Sequence, residues 1–304
     1  PGVCGNSIIF STMNHTIIHT MPGDPNFHLF ESIAKEIYPA DSIRLRIPEK
    51  ISTGYLESCS IILTNGIPKA RVALYSNPFL KYQERRAFCV GHFESVDDFD
   101  IANELLEHVA KKAKELGAEY LIGPMNGSTW ENYRFSTHNN HPNFFLEPYH
   151  HLYYNRFFIK SGFAPIAKYF SSVDTQLQFG IPEVLQREAQ LIEVGMTVRE
   201  INLNDFESEL RRMFQFNEMA FQKNFLYTPI AWETFYGKYA EAKKFINPEF
   251  VLIAEDERKE IIGFVFCVDD IFNQTEKSLI VKTIARHPDN KWGGLGHVIA
   301  NTIV

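Results

Sequence analysis

Arg286-His287-Pro288-Asp289-Asn290-Lys291-Trp292-Gly293-Gly294-Leu295-Gly296-His297 joins an apolar run, Leu279 to Arg286, to a second apolar segment, Val298 to Val304. A glycine-rich turn between a strand and a helix exposes several backbone N–H groups in one concavity, and the helix dipole adds positive potential there. Such a place suits a phosphate or pyrophosphate. Gly294 and Gly296 let the backbone approach an anion closely, and Lys291 adds a charge. A plain turn ahead of a helix is the competing reading. The stretch is not a P-loop, because no Gly-Lys-Ser/Thr ends it, and it does not follow Gly-x-Gly-x-x-Gly spacing.

Working upstream, residues 279–286, 261–268 and 250–254 read as strands, the last two flanking a charged turn. A helix spans Ile230 to Phe245. Another begins at Asp205, a capping residue, with the apolar stripe Phe206, Leu210, Met213, Phe214 and Phe221. Thr197 to Ile201 reads as a strand, and 176–195 as a connector. In the first half, residues 1–27 show no period and read as an irregular lead-in. Leu29, Phe30, Ile33, Ala34 and Ile37 recur at helical spacing, and Pro39 ends that helix. Strands 58–64 and 71–75 flank Asn65-Gly66, a strong hairpin signal, with Pro68 placing the start of the second strand after it. A third strand covers 85–93. Asp98 or Asp100 caps a long helix whose stripe is Ile101, Leu105, Leu106, Val109, Ala113 and Leu116, and Gly117 stops it. A short strand, 119–123, precedes the irregular stretch Asn126–Tyr149. A helix, His151 to Ser161, and a strand, Pro165 to Val173, close this half.

With that order around it, residues 279–299 (LIVKTIARHPDNKWGGLGHVI) resemble the acyl-CoA-binding motif of the GNAT (N-acetyltransferase) superfamily. The motif is a strand, a proline a few residues later, then Gln/Arg-x-x-Gly-x-Gly/Ala opening a helix. Lys291, Gly294 and Gly296 stand at its three key positions, Lys replacing the usual Gln or Arg, and Arg286 stands where a small apolar residue is usual. The resemblance covers about 196–304. It implies that the turn Lys291, Trp292, Gly293, Gly294, Leu295, Gly296 and His297 holds the pyrophosphate of acetyl-CoA or another acyl-CoA. It implies also that Ile284, Ala285 and Arg286 pair with the pantetheine arm.

Residues 28–175 resemble a degenerate GNAT domain. Phe158-Ile159-Lys160-Ser161-Gly162-Phe163 looks like the family's late motif Tyr-x-Lys-x-Gly-Phe with Phe158 in place of tyrosine, and a phenyl ring cannot donate a proton to a leaving thiolate. Where the phosphate turn would lie, Glu94, Asp97 and Asp98 would repel a pyrophosphate. The expected fold is therefore α+β: two tandem GNAT-like domains, each a mixed, mostly antiparallel sheet flanked by helices. The expected divisions are a lead-in (1–27), a degenerate domain (28–175), a connector (176–195) and an acyl-CoA-binding domain (196–304). The last stops inside its helix, which suggests an incomplete domain and a piece of a longer gene product.

The activity implied is direct transfer of an acyl group, acetyl in the first instance, from a CoA thioester to a primary amine of a small molecule or a protein. Asp269, Asp270 and Glu255, near strand ends, are the candidate bases, with solvated turn carboxylates as the competing reading. A longer acyl chain on CoA or a carrier protein, and a non-catalytic GNAT-shaped module, are the alternatives. His138, His141, His150 and His151 cluster, but their spacing fits no metal motif, so they read as hydrogen-bonded loop histidines and no metal is expected. The formal charge of −7 argues against a generally basic nucleic-acid binder. No apolar run reaches the ~18 residues of a membrane span. Cysteines 4, 59, 89 and 267 form no Cys-x-x-Cys pair, and three lie in apolar runs; buried free thiols in a reducing cytoplasm are expected.

Overall fold

Residues 15–20, which carry no readable period, form a strand, β1 (His15–Thr20), because all six residues find register partners on β2 (Leu56–Thr64), from His15 opposite Thr64 to Thr20 opposite Cys59. The irregular lead-in is corrected to that extent. The structure, a computed structural model, describes residues 15–46, 50–138, 141–178 and 180–303. It divides into two compact units, Pro1–His138 with Pro148–Ile166, and Asn139–Glu147 with Ala167–Val304.

In the first unit, α1 (Phe27–Ile37) buries Phe30, Ile33 and Ala34, and the short α2 (Ile43–Arg46) follows Pro39. The hairpin from β2 to β3 (Ile67–Tyr75) turns at Asn65 and Gly66, with φ of 52° and 79°, the left-handed pair that a two-residue hairpin requires. Pro68 lies inside β3 rather than before it. It pairs with Leu63 where the register shifts, an irregularity that accommodates its missing N–H. After β4 (Lys81–Tyr82), β5 (Arg85–Ser95) runs two residues longer than its apolar pattern, and α3 (Phe99–Glu115) follows. One carboxylate oxygen of Asp98 accepts from the N–H groups of Asp100 and Ile101, which makes Asp98 the cap. β6 (Tyr120–Ile122) pairs parallel to β5, and α4 (Tyr153–Lys160) packs beside α3. The sheet order is β1-β2-β3-β5-β4, with β6 also on β5. Leu105, Leu106 and Val109 of α3 are essentially inaccessible, each burial worth about 1.5–3 kcal/mol. Pro165 to Val173 forms no strand. Its residues are exposed and no neighbouring strand pairs with them among the described residues.

In the second unit the connector holds a helix, α5 (Pro182–Glu193), opened by a proline at its first turn and anchored by the buried Leu191. Then come β7 (Thr197–Glu200), α6 (Phe206–Phe221), α7 (Trp232–Ala240), β8 (Val251–Glu255), β9 (Ile261–Asp269), β10 (Leu279–Arg286) and α8 (Leu295–Ile303). Asp205 does not cap α6 with its side chain; Asn202 caps the short 3-10 turn ahead of it instead. Phe216, not Phe214, takes the buried place in the α6 stripe. The sheet is antiparallel in the order β10-β9-β8-β7. Alternation along β9 sorts its side chains. Val265 and Cys267 join Leu191, Trp292, Leu295 and Val298 in one core, whereas Phe264 meets Phe216 and Phe266 meets Tyr239 on the other face. The chain is thus α+β, with two mostly antiparallel sheets flanked by helices.

Candidate functional site

β10 runs into the glycine turn through a fixed sequence of hydrogen bonds. The His287 N–H donates to the Ile262 carbonyl at 2.7 Å. Asp289 caps a 3-10 turn, Asn290–Trp292, accepting from the Lys291 N–H at 2.8 Å on its side chain and from the Trp292 N–H at 3.1 Å on its carbonyl. The Gly293 N–H donates to the Asn290 carbonyl at 2.9 Å. Gly294 then takes φ +83°, and its carbonyl receives the His297 and Val298 N–H groups. The next three donors in line, the N–H groups of Gly294, Leu295 and Gly296, meet no acceptor among the described residues. They stand together at the positive end of α8.

The ten residues expected here divide by role. Trp292 and Leu295 are 5% and 0% exposed, so their side chains hold the turn in the core. Ala285 is buried likewise. Lys291 is exposed, its ammonium 4.5 Å from the centre of the Trp292 ring. Gly296 lies over Ile284, where a Cβ would meet that side chain at an ordinary 3.6 Å. Arg286 and His297 are exposed, and the Arg286 guanidinium donates to the His287 carbonyl at 2.8 Å.

Arg187 was not legible as part of this site. From α5 its Nε donates to the Gly293 carbonyl at 2.7 Å and its Nη2 to the Lys291 carbonyl at 2.8 Å, while Nη1 reaches Gln190 Oε1 at 3.0 Å. The signal that could have pointed to it is the Pro182-Glu183 helix start inside the supposed connector.

The three carboxylates are not gathered. Glu255 ends β8 beside Ile261, the end of β9 nearest the glycine turn, whereas Asp269 closes the other end of β9. Six residues of strand, about 20 Å, separate Asp269 from Gly263, the partner of Arg286. Glu255 is buried at 3% exposure and accepts from Arg199 at 2.6 Å and Arg212 at 2.8 Å. Burial pushes its pKa up, but the two guanidiniums outweigh this and hold it below the usual carboxylate range. Asp270 is half-buried and uses Oδ1 to accept from the Phe145 and Phe272 N–H groups at 2.8 and 3.1 Å. Asp269 is exposed, and its carboxylate is engaged by no side chain or N–H among the described residues.

In the first unit the corresponding strand end is closed. Glu94 does not present a repelling charge to solvent, which corrects the expectation. It is 2% exposed, accepts hydrogen bonds from the Tyr38 and Tyr154 hydroxyls at 2.9 and 2.8 Å on one oxygen, and from the Arg44 guanidinium on the other. Burial first and the Glu94 charge second push the Tyr38 and Tyr154 pKa values far up, which keeps both as donors. Asp97 pairs with Arg156 at 3.0 Å. Asn126 lies against β5: its Oδ1 accepts from the His92 N–H at 2.8 Å, and a Cβ on Gly91 would stand 2.3 Å from that oxygen. Phe158 is packed edge-on against Phe93 and Phe135.

The Ser136 N–H donates to His150 Nε2 at 2.6 Å, which places the proton on Nδ1, donating to the His151 carbonyl. Burial above all lowers the His150 pKa and keeps the ring neutral. His151 stacks on Tyr38. Among the described residues no group of three or more His, Cys, Asp or Glu side chains is placed to hold a metal ion, and no helix is long and apolar enough to cross a membrane.

No family model and no curated protein sequence matches the chain. Among solved structures, a GCN5-related glucosamine N-acetyltransferase region of a fungal multi-domain GH3 beta-N-acetylglucosaminidase aligns with 97% of the chain at 12% identity and a TM-score of 0.52. The fold is that of the GNAT N-acetyltransferases. The chain spans 34% of that fungal protein. A GCN5-related N-acetyltransferase from Sphaerobacter thermophilus aligns with 95% of the chain and 81% of its own length, at 12% identity and a TM-score of 0.47. An aminoglycoside N-acetyltransferase, AAC(6')-Iy, in complex with CoA, covers 55% of the chain and 99% of its own length at 10% identity and a TM-score of 0.35. In the chain, β10, the glycine turn and α8 follow one another directly.

Proposed function

We propose that the second unit is an acyl-CoA-dependent N-acyltransferase, with acetyl-CoA the first donor to test and a primary amine as acceptor. One observation carries the reading: at the head of α8 the three consecutive N–H groups of Gly294, Leu295 and Gly296 meet no acceptor among the described residues, and Arg187 holds the Gly293 carbonyl of the peptide that opens the row. That is the donor set a diphosphate needs, and the aligned fold belongs to N-acetyltransferases. Ile284 to Arg286, on the edge strand β10, would pair with the pantetheine arm leading away from the turn.

In the reaction, the free amine nitrogen attacks the thioester carbonyl carbon. The C–N bond forms, the C–S bond breaks, and sulfur leaves as thiolate while the nitrogen gives up a proton. Of the three carboxylates, Asp269 is our choice for accepting that proton, directly or through water, because it is exposed and its oxygens are engaged by no side chain or N–H among the described residues. Glu255 is set aside because its carboxylate is held by two arginines. The first unit is proposed as a GNAT-like domain without a donor site, since the buried Glu94 group and Asn126 fill the place.

A thermal-shift titration with acetyl-CoA tests the reading. A ligand that binds only the folded state raises the melting temperature by mass action. The expected result is a dose-dependent rise in the wild-type chain that Gly296→Asp abolishes while folding is retained, because a Cβ at 296 meets nothing closer than an ordinary 3.6 Å and needs no left-handed backbone. No rise with acetyl-CoA or longer acyl-CoAs would overturn the assignment and leave the non-catalytic module. A rise only with longer chains would change the acyl group and keep the site.

A further inference from the structure

Building on the turn as the donor's diphosphate site, we propose that Arg187 is a positioning residue that aims the Gly294 amide at the bound diphosphate. A peptide unit is planar and trans, so the carbonyl of Gly293 and the N–H of Gly294 point in opposite directions. Arg187 Nε holds that carbonyl at 2.7 Å. The amide of the same unit is therefore turned away from the guanidinium, toward the open side of the turn. Nη2 takes the Lys291 carbonyl at 2.8 Å, so one rigid fork grips the chain on both sides of Trp292. Nη1 is itself held by Gln190 at 3.0 Å, which leaves the guanidinium one orientation.

The support beneath the clamp is firm. Leu191, one residue beyond Gln190 on α5, is fully buried in the core shared with Trp292 and Leu295. The arginine stem also explains the glycine at 294. A Cβ there would stand 3.1 Å from Arg187 Cγ, on a residue whose φ of +83° already disfavours a side chain. The clamp brings a full positive charge beside the three unpaired amides as well, so it orients donors and raises the local potential together. A lysine at 187 would supply a point charge but could not grip both carbonyls as a planar fork.

The test uses the full chain labelled with 15N-glycine and titrated with CoA, for wild type, Arg187→Gln and Arg187→Lys. In wild type the Gly294 and Gly296 amide signals are expected to move as CoA binds. In Arg187→Gln the dissociation constant should rise tenfold or more. At saturating CoA the Gly294 shift should collapse while that of Gly296 persists, a pattern that a general loss of stability would not produce. Arg187→Lys should recover part of the affinity and little of the Gly294 shift. Unchanged affinity, or an unchanged Gly294 shift, in Arg187→Gln would overturn this inference and leave the site standing. Wild-type chain that binds no CoA would overturn the proposed function and this inference with it.

Discussion

Gly263 on β9 and Leu295 at the head of α8 are in contact so close that no side chain fits between them: a Cβ at 263 would lie 2.8 Å from Leu295 Cδ2 and 2.8 Å from the Ala285 carbonyl oxygen. The helix that opens the glycine turn is seated on the sheet at a height set by this glycine. Gly263→Ala should destabilise the chain by about 1–3 kcal/mol through overpacking. A denaturant midpoint equal to that of wild type would refute the contact.

The two turn glycines should respond differently to a methyl group. Gly294→Ala meets both a left-handed backbone and the Arg187 stem, and should cost about 1–2 kcal/mol. Gly296→Ala places its Cβ in ordinary contact with Ile284 inside the first turn of α8 and should be neutral or stabilising by up to about 1 kcal/mol. Paired urea titrations decide, and equal effects at both positions would contradict the backbone described.

Glu94 and Asp97 lie three positions apart and should differ in stability effect. Removing the charge of Glu94 leaves Arg44 without its buried partner, and Glu94→Gln should cost about 3–5 kcal/mol. Asp97→Asn breaks only an exposed pair with Arg156, worth about 0–1 kcal/mol. Thermal melts of the two variants against wild type provide the comparison.

Glu255 gives the stability a dependence on acid. Its folded pKa is held below the ordinary value of 4.5 by Arg199 and Arg212 against the opposing effect of burial. Its contribution is therefore fully present above pH 4.5 and is lost as pH falls through the lowered folded value. Glu255→Gln should lower stability at neutral pH and flatten the slope below that point. A variant with the wild-type slope would show that other carboxylates carry it.

Burial pushes the thiols of Cys59 and Cys89 up to about 12, and that of Cys267 up to about 11. With the thiolate suppressed and access closed, all three should resist iodoacetamide at pH 8 in the folded chain and react fully in denaturant. Peptide mapping by mass spectrometry reads each cysteine separately.

Much of the fold was legible because its signals are local. Asn65-Gly66 states its own turn, the Asp98/Asp100 pair a helix cap that the structure assigns to Asp98, and the run from Leu279 to Gly296 its own strand, turn and helix. Where the reading failed, partners distant in sequence decided. β1 is a strand through pairing with β2, and Pro165 to Val173 is not one because no strand among the described residues pairs with it. Pro68 stays in its strand because a register shift accommodates it.

The candidate site divides in the same way. The glycines, Lys291 and their order along the chain are properties of the sequence alone, since a turn's backbone freedom depends on which residues occupy it. That Glu94 is buried rather than repelling, that Glu255 is neutralised by two arginines, and that Arg187 reaches Gly293 across 106 positions were decided only by tertiary packing. The physical reason is common to all three. What a charged side chain does depends on its burial and on the partners within hydrogen-bond reach, and both are set by segments far apart in the chain.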